Sequence, residues 1–474
     1  MPATRTRTAL AAGLLLVPML SGLAVAAPSA TVVLSVTSGF RSADLPAGVE
    51  VRNELRRIGV VEIAAPAAAI PALVQTAGVR GAFPDYAIRP MGSDGSSRSG
   101  GVLAPSTVGK PAGKASAGKG VTVAVIDTGV ADTEALSRED GHLRSGPDFS
   151  DSAAGPRDGF GHGTFMANLI AGGEVDGDVI GLAPGATVID VKVASANGDT
   201  SLTKVLNGLD WVANNAAQQG IGIVSLSLGA PRPTEGYGAD PLSDAADAVQ
   251  AAGVVVVTSS GNDPTQVSNP GQDPQLFTIG AADTRTSDGA VASFSGRGYP
   301  ANHRKPDVVA TGVRVLSMLP PASELATSYP ESQVGDLWRG SGTSQATAVA
   351  AGAVAIFLSG KTDVSPQDVR ASFGTAATDL PGGEADGYGL LALPTTVVDG
   401  DADLTPSSTT TGESGDPAVT STSWSSTSWS RSTSWSSTSW SRSTSWSSTS
   451  WSRSTSWSST SWSRSTSWSA SSWS

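Results

Sequence analysis

An α/β fold, built as a three-layer sandwich around a mainly parallel central sheet, is what residues 118–397 predict. Apolar runs of strand length recur at 121–126, 187–193, 221–228, 253–258 and 276–281. Helical patterns alternate with them at 163–172, 201–219 and 242–252, and a last one follows Ser344. Strands that are apolar on both sides and separated by helices belong to a sheet buried on both faces. The working residues of such a sheet gather beyond the carboxyl ends of its strands. Asp127, in Asp127-Thr128-Gly129, stands at such an end.

Arg5 and Arg7, the apolar run 9–23 and Ala24-Val25-Ala26 form the three parts of a secretory signal, residues 1–26. No adjacent arginine pair is present, which favours the general secretory route over the twin-arginine one. Cysteine is absent, so neither disulfides nor thiolate chemistry is available and the fold rests on its core. Residues 27–91 read as a small α+β unit: strands at 31–36 and 59–63, helices at 49–57 and 67–76, and a closing extended run at 79–88. Residues 92–117 are a Gly-, Ser-, Lys- and Pro-rich linker.

Residues 398–474 form a Ser/Thr/Trp-rich tail, which from 421 repeats Ser-Thr-Ser-Trp-Ser-Ser-Thr-Ser-Trp-Ser-Arg with a period of eleven. Ser and Thr hydroxyls compete for the backbone in a helix, and the Trp spacings of five and six scatter over both faces of a strand. A disordered tail is expected.

The net charge of −12 and the lack of any basic run exclude a nucleic-acid partner. The three histidines, His142, His162 and His303, show no metal-ligand spacing, which excludes zinc chemistry. Asp148, Asp151 and Asp158 cluster without EF-hand spacing and read as a solvated acidic loop, with structural calcium as the alternative. No cofactor is expected.

Ser344 ends a Gly-rich turn and opens a helix that is apolar nearly all round, hence buried. It is either a helix cap or a nucleophile whose oxyanion meets the unpaired N–H groups of the helix start. The rest of the chain decides. No histidine follows Ser344, and its motif lacks the last glycine of a nucleophile elbow. The order Asp127, His162, Ser344 on an α/β sheet is that of the subtilisin triad.

Four motifs then carry a family resemblance: Val125-Ile126-Asp127-Thr128-Gly129, Gly161-His162-Gly163-Thr164, Ser260-Gly261-Asn262 and Gly342-Thr343-Ser344. The chain resembles a secreted subtilisin-like serine protease. The resemblance implies a catalytic set of Asp127, His162, Ser344 and Asn262, with Asn262 as oxyanion donor. It also implies a substrate-binding set of Ser227, Leu228 and Gly229 on one side and Ser259, Ser260 and Gly261 on the other. Neither wall of the substrate-binding set carries a charged residue, so an apolar side chain is expected before the scissile bond. The family usually carries Met after the nucleophile; Gln345 stands here. Residues 27–91 resemble the family's propeptide, an intramolecular chaperone and inhibitor, with 78–86 resembling the part that lies along the substrate cleft. The expected protein is an extracellular, self-processing serine endopeptidase, monomeric, acting on polypeptides.

Two other readings compete: an inactive scaffold that only binds, separated by a serine-hydrolase probe, and a tail-centred adhesive module for cell wall or glycans. In the second case the tail holds the protein at the cell surface, and pull-down of the tail on wall material decides it.

Overall fold

The computed structural model describes residues 29–400 except 94–100, 109–110, 152–154, 156, 232–236, 287, 299, 301–302 and 382–383. The signal segment and all but the first three residues of the tail therefore lie outside the described residues.

Strands β1 (Ser29–Val36), β2 (Glu50–Leu55), β3 (Val60–Pro66) and β4 (Val79–Pro84) form an antiparallel sheet in the order β4-β1-β3-β2. The stretch expected as a helix at 49–57 is β2 followed by a single 3-10 turn. Its charged residues alternate with Val51, Asn53 and Leu55, a period of two that suits an edge strand better than a helix. The second expected helix shrinks to a 3-10 turn and the four-residue α1 (Ile70–Leu73), which buries only Ile70 and Leu73. Past β4 the chain leaves this sheet at Asp85-Tyr86 and forms β5 (Ala87–Pro90) in another.

The linker carries two short strands, β6 (Gly92–Ser93) and β7 (Val102–Leu103). The central sheet then begins with β8 (Thr122–Asp127) and β9 (Leu143–Asp148). Helix α2 (His162–Ala171), β10 (Thr187–Lys192) and β11 (Thr200–Ser201) follow. Next come α3 (Leu202–Gln219), β12 (Ile221–Leu226), β13 (Leu228–Gly229), β14 (Tyr237–Gly238) and α4 (Pro241–Ala251). Strands β15 (Val255–Ser259), β16 (Phe277–Asp283), β17 (Ala290–Val291), β18 (Val308–Thr311), β19 (Val315–Ser317) and β20 (Leu337–Gly342) precede α5 (Thr343–Leu358) and α6 (Pro366–Ala376).

The eight-stranded sheet has the order β17-β16-β15-β12-β8-β10-β9, with β18 also paired to β16. All pairings are parallel except β16 with β17. The order reverses at β8: later strands go first to one side and then, from β12, to the other. A crevice opens at such a reversal beyond the strand ends, and Asp127 closes β8 there.

Successive side chains of β8 face opposite ways. Val123 and Val125 enter a core with Phe165 of α2, Val349 of α5 and Phe373 of α6. Ala124 and Ile126 enter a second core with Leu206 and Leu209 of α3 and Val249 of α4. That gives three layers. The second core also takes Val33, Leu55 and Val60 of the N-terminal sheet, whose other face packs Val32, Leu34 and Ile63 on Ile70 and Leu73.

Polar pairs complete this docking. Asp85 accepts from the Thr203 N–H (3.0 Å) and hydroxyl (3.1 Å), which caps α3, whose own N-cap residue Ser201 makes no side-chain cap bond. Arg80 and Ser35 both reach Asp244 of α4. Asn207 of α3 donates to Glu62 at 3.2 Å. Glu62 is 8% exposed, and burial, with Asp85 nearby, pushes its carboxyl up to about 7.

A docked carboxyl with a raised pKa holds its proton where the released one has lost it. Docking is therefore strongest below the ordinary carboxylate range and weakens as pH rises toward 7. Titration calorimetry of residues 27–91 against the remainder of the chain should show tighter binding at pH 5 than at pH 8, and Glu62→Gln should flatten the slope. Equal slopes would remove Glu62 from the account.

Candidate active site

Three strand ends and two helix starts converge in the crevice. Asp127, 1% exposed at the end of β8, accepts through Oδ1 from the Thr128 N–H at 2.7 Å. The same oxygen lies 2.7 Å from Nδ1 of His162, the first residue of α2, which fixes the ring by its far nitrogen. His162 Nε2 is buried and has no hydrogen-bond partner among the described residues. Ser344 sits in the first turn of α5 and is fully buried. Its hydroxyl donates to the Ser227 carbonyl at 3.0 Å.

A carbonyl occupies the space between α5 and β15. The oxygen of Met91 accepts from Asn262 Nδ2 at 2.7 Å and from the Ser344 N–H at 3.3 Å. Asn262 is held for this by its other end, since Oδ1 accepts from the Thr343 N–H (3.0 Å) and hydroxyl (2.9 Å). Two donors converging on one carbonyl, beside a serine and a carboxylate-held imidazole, can stabilise an oxyanion and move a proton.

The chain around Met91 is extended on both sides. Ile88 and Ala87 pair with β11, Pro90 and Arg89 with β13, so β5 lies antiparallel between two strands. The Met91 N–H donates to the Ser227 carbonyl at 3.1 Å. Beyond Met91, Gly92 and Ser93 pair antiparallel with Gly342 and Ser341 of β20.

A family model described as the Subtilase family matches residues 118–390. The chain is a subtilase. It is 34% identical to serine protease AprX of Bacillus subtilis (strain 168) over 273 residues, 54% of this chain and 61% of that one. It is 34% identical to subtilisin Savinase of Lederbergia lenta over 275 residues, 58% of this chain and 89% of that one. The crystal structure of fervidolysin from Fervidobacterium pennivorans, a keratinolytic enzyme related to subtilisin, superposes with a TM-score of 0.60 at 22% identity. That superposition covers 77% of this chain and 60% of that one, and speaks to the fold.

In this subtilase the four residues expected as catalytic form two pairs, Asp127 with His162 and Asn262 with Ser344 through the Met91 carbonyl, and the expected substrate walls divide. Leu228 and Gly229 are β13 itself, and the Ser227 carbonyl serves both Met91 and Ser344. Ser259 ends β15, and Ser260 and Gly261 lead to Asn262. The cleft segment is displaced from the expected 78–86: residues 79–84 form a strand between β1 and β14, and 87–91 lie in the cleft. Gln345 is 4% exposed, and its Oε1 has no partner among the described residues.

Asp158 is the residue that the sequence reading misplaced. It is 1% exposed rather than solvated. Oδ1 accepts from the Thr128 hydroxyl (2.8 Å) and the Gly161 N–H (2.7 Å); Oδ2 accepts from the Thr164 N–H (2.8 Å) and hydroxyl (2.6 Å). Burial pushes its carboxyl up, against those donors. Asp158 thus ties the residue after Asp127 to both sides of His162. Asp151 instead pairs with Lys204 at 3.2 Å, and Asp148 accepts from Ser150, so the three acids do not converge.

Asp158→Ala would strand two buried N–H groups, each costing about 1–3 kcal/mol. The expected result is a lower unfolding midpoint together with a lower kcat on a small peptide. A variant that loses stability alone would reduce Asp158 to a purely structural part.

Proposed function

We propose that the chain is a secreted serine endopeptidase that is made as a zymogen and cuts itself first at the Met91–Gly92 bond. The observation that carries this reading is the Met91 carbonyl, held between Asn262 Nδ2 and the Ser344 N–H with paired strands on either side.

Ser344 Oγ turns about χ1 from the Ser227 carbonyl toward His162 Nε2, which takes its proton. The oxygen bonds to the Met91 carbonyl carbon, and the charge that develops on the carbonyl oxygen meets the two donors. Asp127 stabilises the imidazolium. The bond to Gly92 nitrogen breaks as His162 delivers the proton to the leaving amine. Water, activated by the same imidazole, then hydrolyses the ester and restores Ser344. External polypeptides would follow the same path once 87–93 leaves the cleft.

Secretion rests on the signal pattern at residues 1–26. Monomeric action and surface retention through the 398–474 tail remain parts of this proposal, as does the absence of any cofactor.

Two results test the reading. Intact mass of protein from a protease-deficient host should show the wild type as fragments meeting at Met91/Gly92, and Ser344→Ala as one uncut chain. Ser344→Ala should lose on the order of 10⁶ in turnover, the scale known for subtilisin, and Asn262→Ala about 10²–10³. An identical fragment pattern in wild type and Ser344→Ala would rule out self-cleavage.

Met91 also stands where the substrate's acyl residue would, between walls without charge, so peptides with Leu or Phe there should be cut faster than those with Lys or Arg. The reverse order would overturn this specificity.

A further inference from the structure

A cavity of 210 Å³ opens beside His162. Phe165, Leu319, Leu325 and Tyr329 make it largely apolar, and Arg339, Gly340 and Gln345 form its floor. Arg339 is 8% exposed. Its Nε donates to the Ser332 carbonyl at 3.3 Å and its Nη2 to the Glu331 carbonyl at 2.7 Å, while Nη1 is buried with no partner. No ion pair reaches this guanidinium among the described residues, and no carboxylate lines the cavity. A buried cation without a counter-charge is costly, and a carboxylate offered to it forms a charge-assisted bond of the strong kind.

The extended segment through the cleft says which substrate side chain enters. Side chains of an extended chain alternate. Pro90 lines the cavity and Met91 does not, so the residue after Met91 points the same way as Pro90. That residue is Gly92, which has no side chain and leaves the space open. The floor is open for a related reason: a Cβ at position 340 would come within 2.6 Å of Gln345 Nε2 and 2.9 Å of the Phe165 ring.

We propose that this cavity is the subsite for the side chain following the scissile bond, and that Arg339 makes it select Asp or Glu there. The proposal rests on the assignment of Met91–Gly92 as the bond in the site. Arg339 Nη1 supplies one hydrogen bond and the charge. Gln345 supplies a second donor through Nε2, which already lies beside Gly340. Self-cleavage, with glycine in this place, does without the contact that other substrates gain.

The test uses mature enzyme from the full chain and peptides Ala-Ile-Ala-Pro-Met-X-Ser. Alanine replaces the arginine of the chain's own segment so that the enzyme's guanidinium is the only one present. X is Glu, Asp, Gln, Leu or Lys. Glu or Asp should exceed Leu in kcat/KM by roughly tenfold, the scale of one charge-assisted bond, with Lys lowest. Arg339→Met should bring the Glu/Leu ratio near one, and Arg339→Lys should keep part of it. Equal rates for acids and Leu in the wild type overturn the proposal while leaving the bond assignment intact, and they do so even if Arg339→Met fails to fold. Gln cut as fast as Glu would also overturn it, since the site would then read an amide and not a charge. Failure to cut any of these peptides would bring down the bond assignment and the subsite with it.

Discussion

The start of α5 is the constraint on which the site depends. Its N-cap, Gly342, makes no side-chain cap bond, and fourteen of its residues from Thr343 to Phe357 are buried, so its first N–H groups have little access to water. Each must find a partner or cost free energy. Thr343 finds Asn262 Oδ1, and Ser344 finds the Met91 carbonyl. The pair of donors at Met91 is thus a helix N-terminus left unpaired by its own sequence and completed by a carbonyl of the chain's own extended segment. The same burial that makes the vacancy costly holds Ser344 rigid, because α5 packs against α2 and five strands of the central sheet.

The N-terminal unit completes other unfinished groups in the same way. Strands β11 and β13 gain a neighbour when β5 lies between them, and α3 gains its cap from Asp85. Exposed strand edges invite pairing with any extended chain, and here the invited chain is first the protein's own. A substrate that later uses those edges inherits backbone bonds that depend on no particular side chain, so selection falls to the side-chain pockets.

Legibility in the sequence follows the same physics. Strands β8, β10, β12, β15 and β16 were readable because burial on both faces leaves them apolar. Asp127, His162, Asn262 and Ser344 were readable because each sits in a glycine-flanked motif that few other structures need. Strand β2 was misread because its charges lie at an edge, where helix and strand patterns look alike over six residues. β9 and β20 are polar or glycine-rich and gave no pattern. Helix α6 did carry a signal that went unused, the capping box of Ser365 and Asp368 after which Pro366 opens the first turn. Asp158 could not be placed at all, because a carboxylate buried under four donors looks, in one dimension, like any other loop acid.

The two sides of the scissile bond are unequally held, and that inequality bears on what happens after cleavage. On the acyl side, Ala87 to Met91 pair with two strands, Asp85 caps a helix, and a whole sheet packs on α3 and α4. On the leaving side, among the described residues, Gly92 and Ser93 pair with β20 and Val102 and Leu103 with β19, while His162 Nε2 and Arg339 Nη1 have no partner. In the proposed self-cleavage, cutting the bond removes the tether between these halves, and the well-paired acyl-side fragment would stay in the cleft with its carboxylate against the Asn262 and Ser344 donors. Under that proposal the first product is its own inhibitor, and the rate at which activity appears is set by undocking of the N-terminal unit rather than by the chemistry at Ser344.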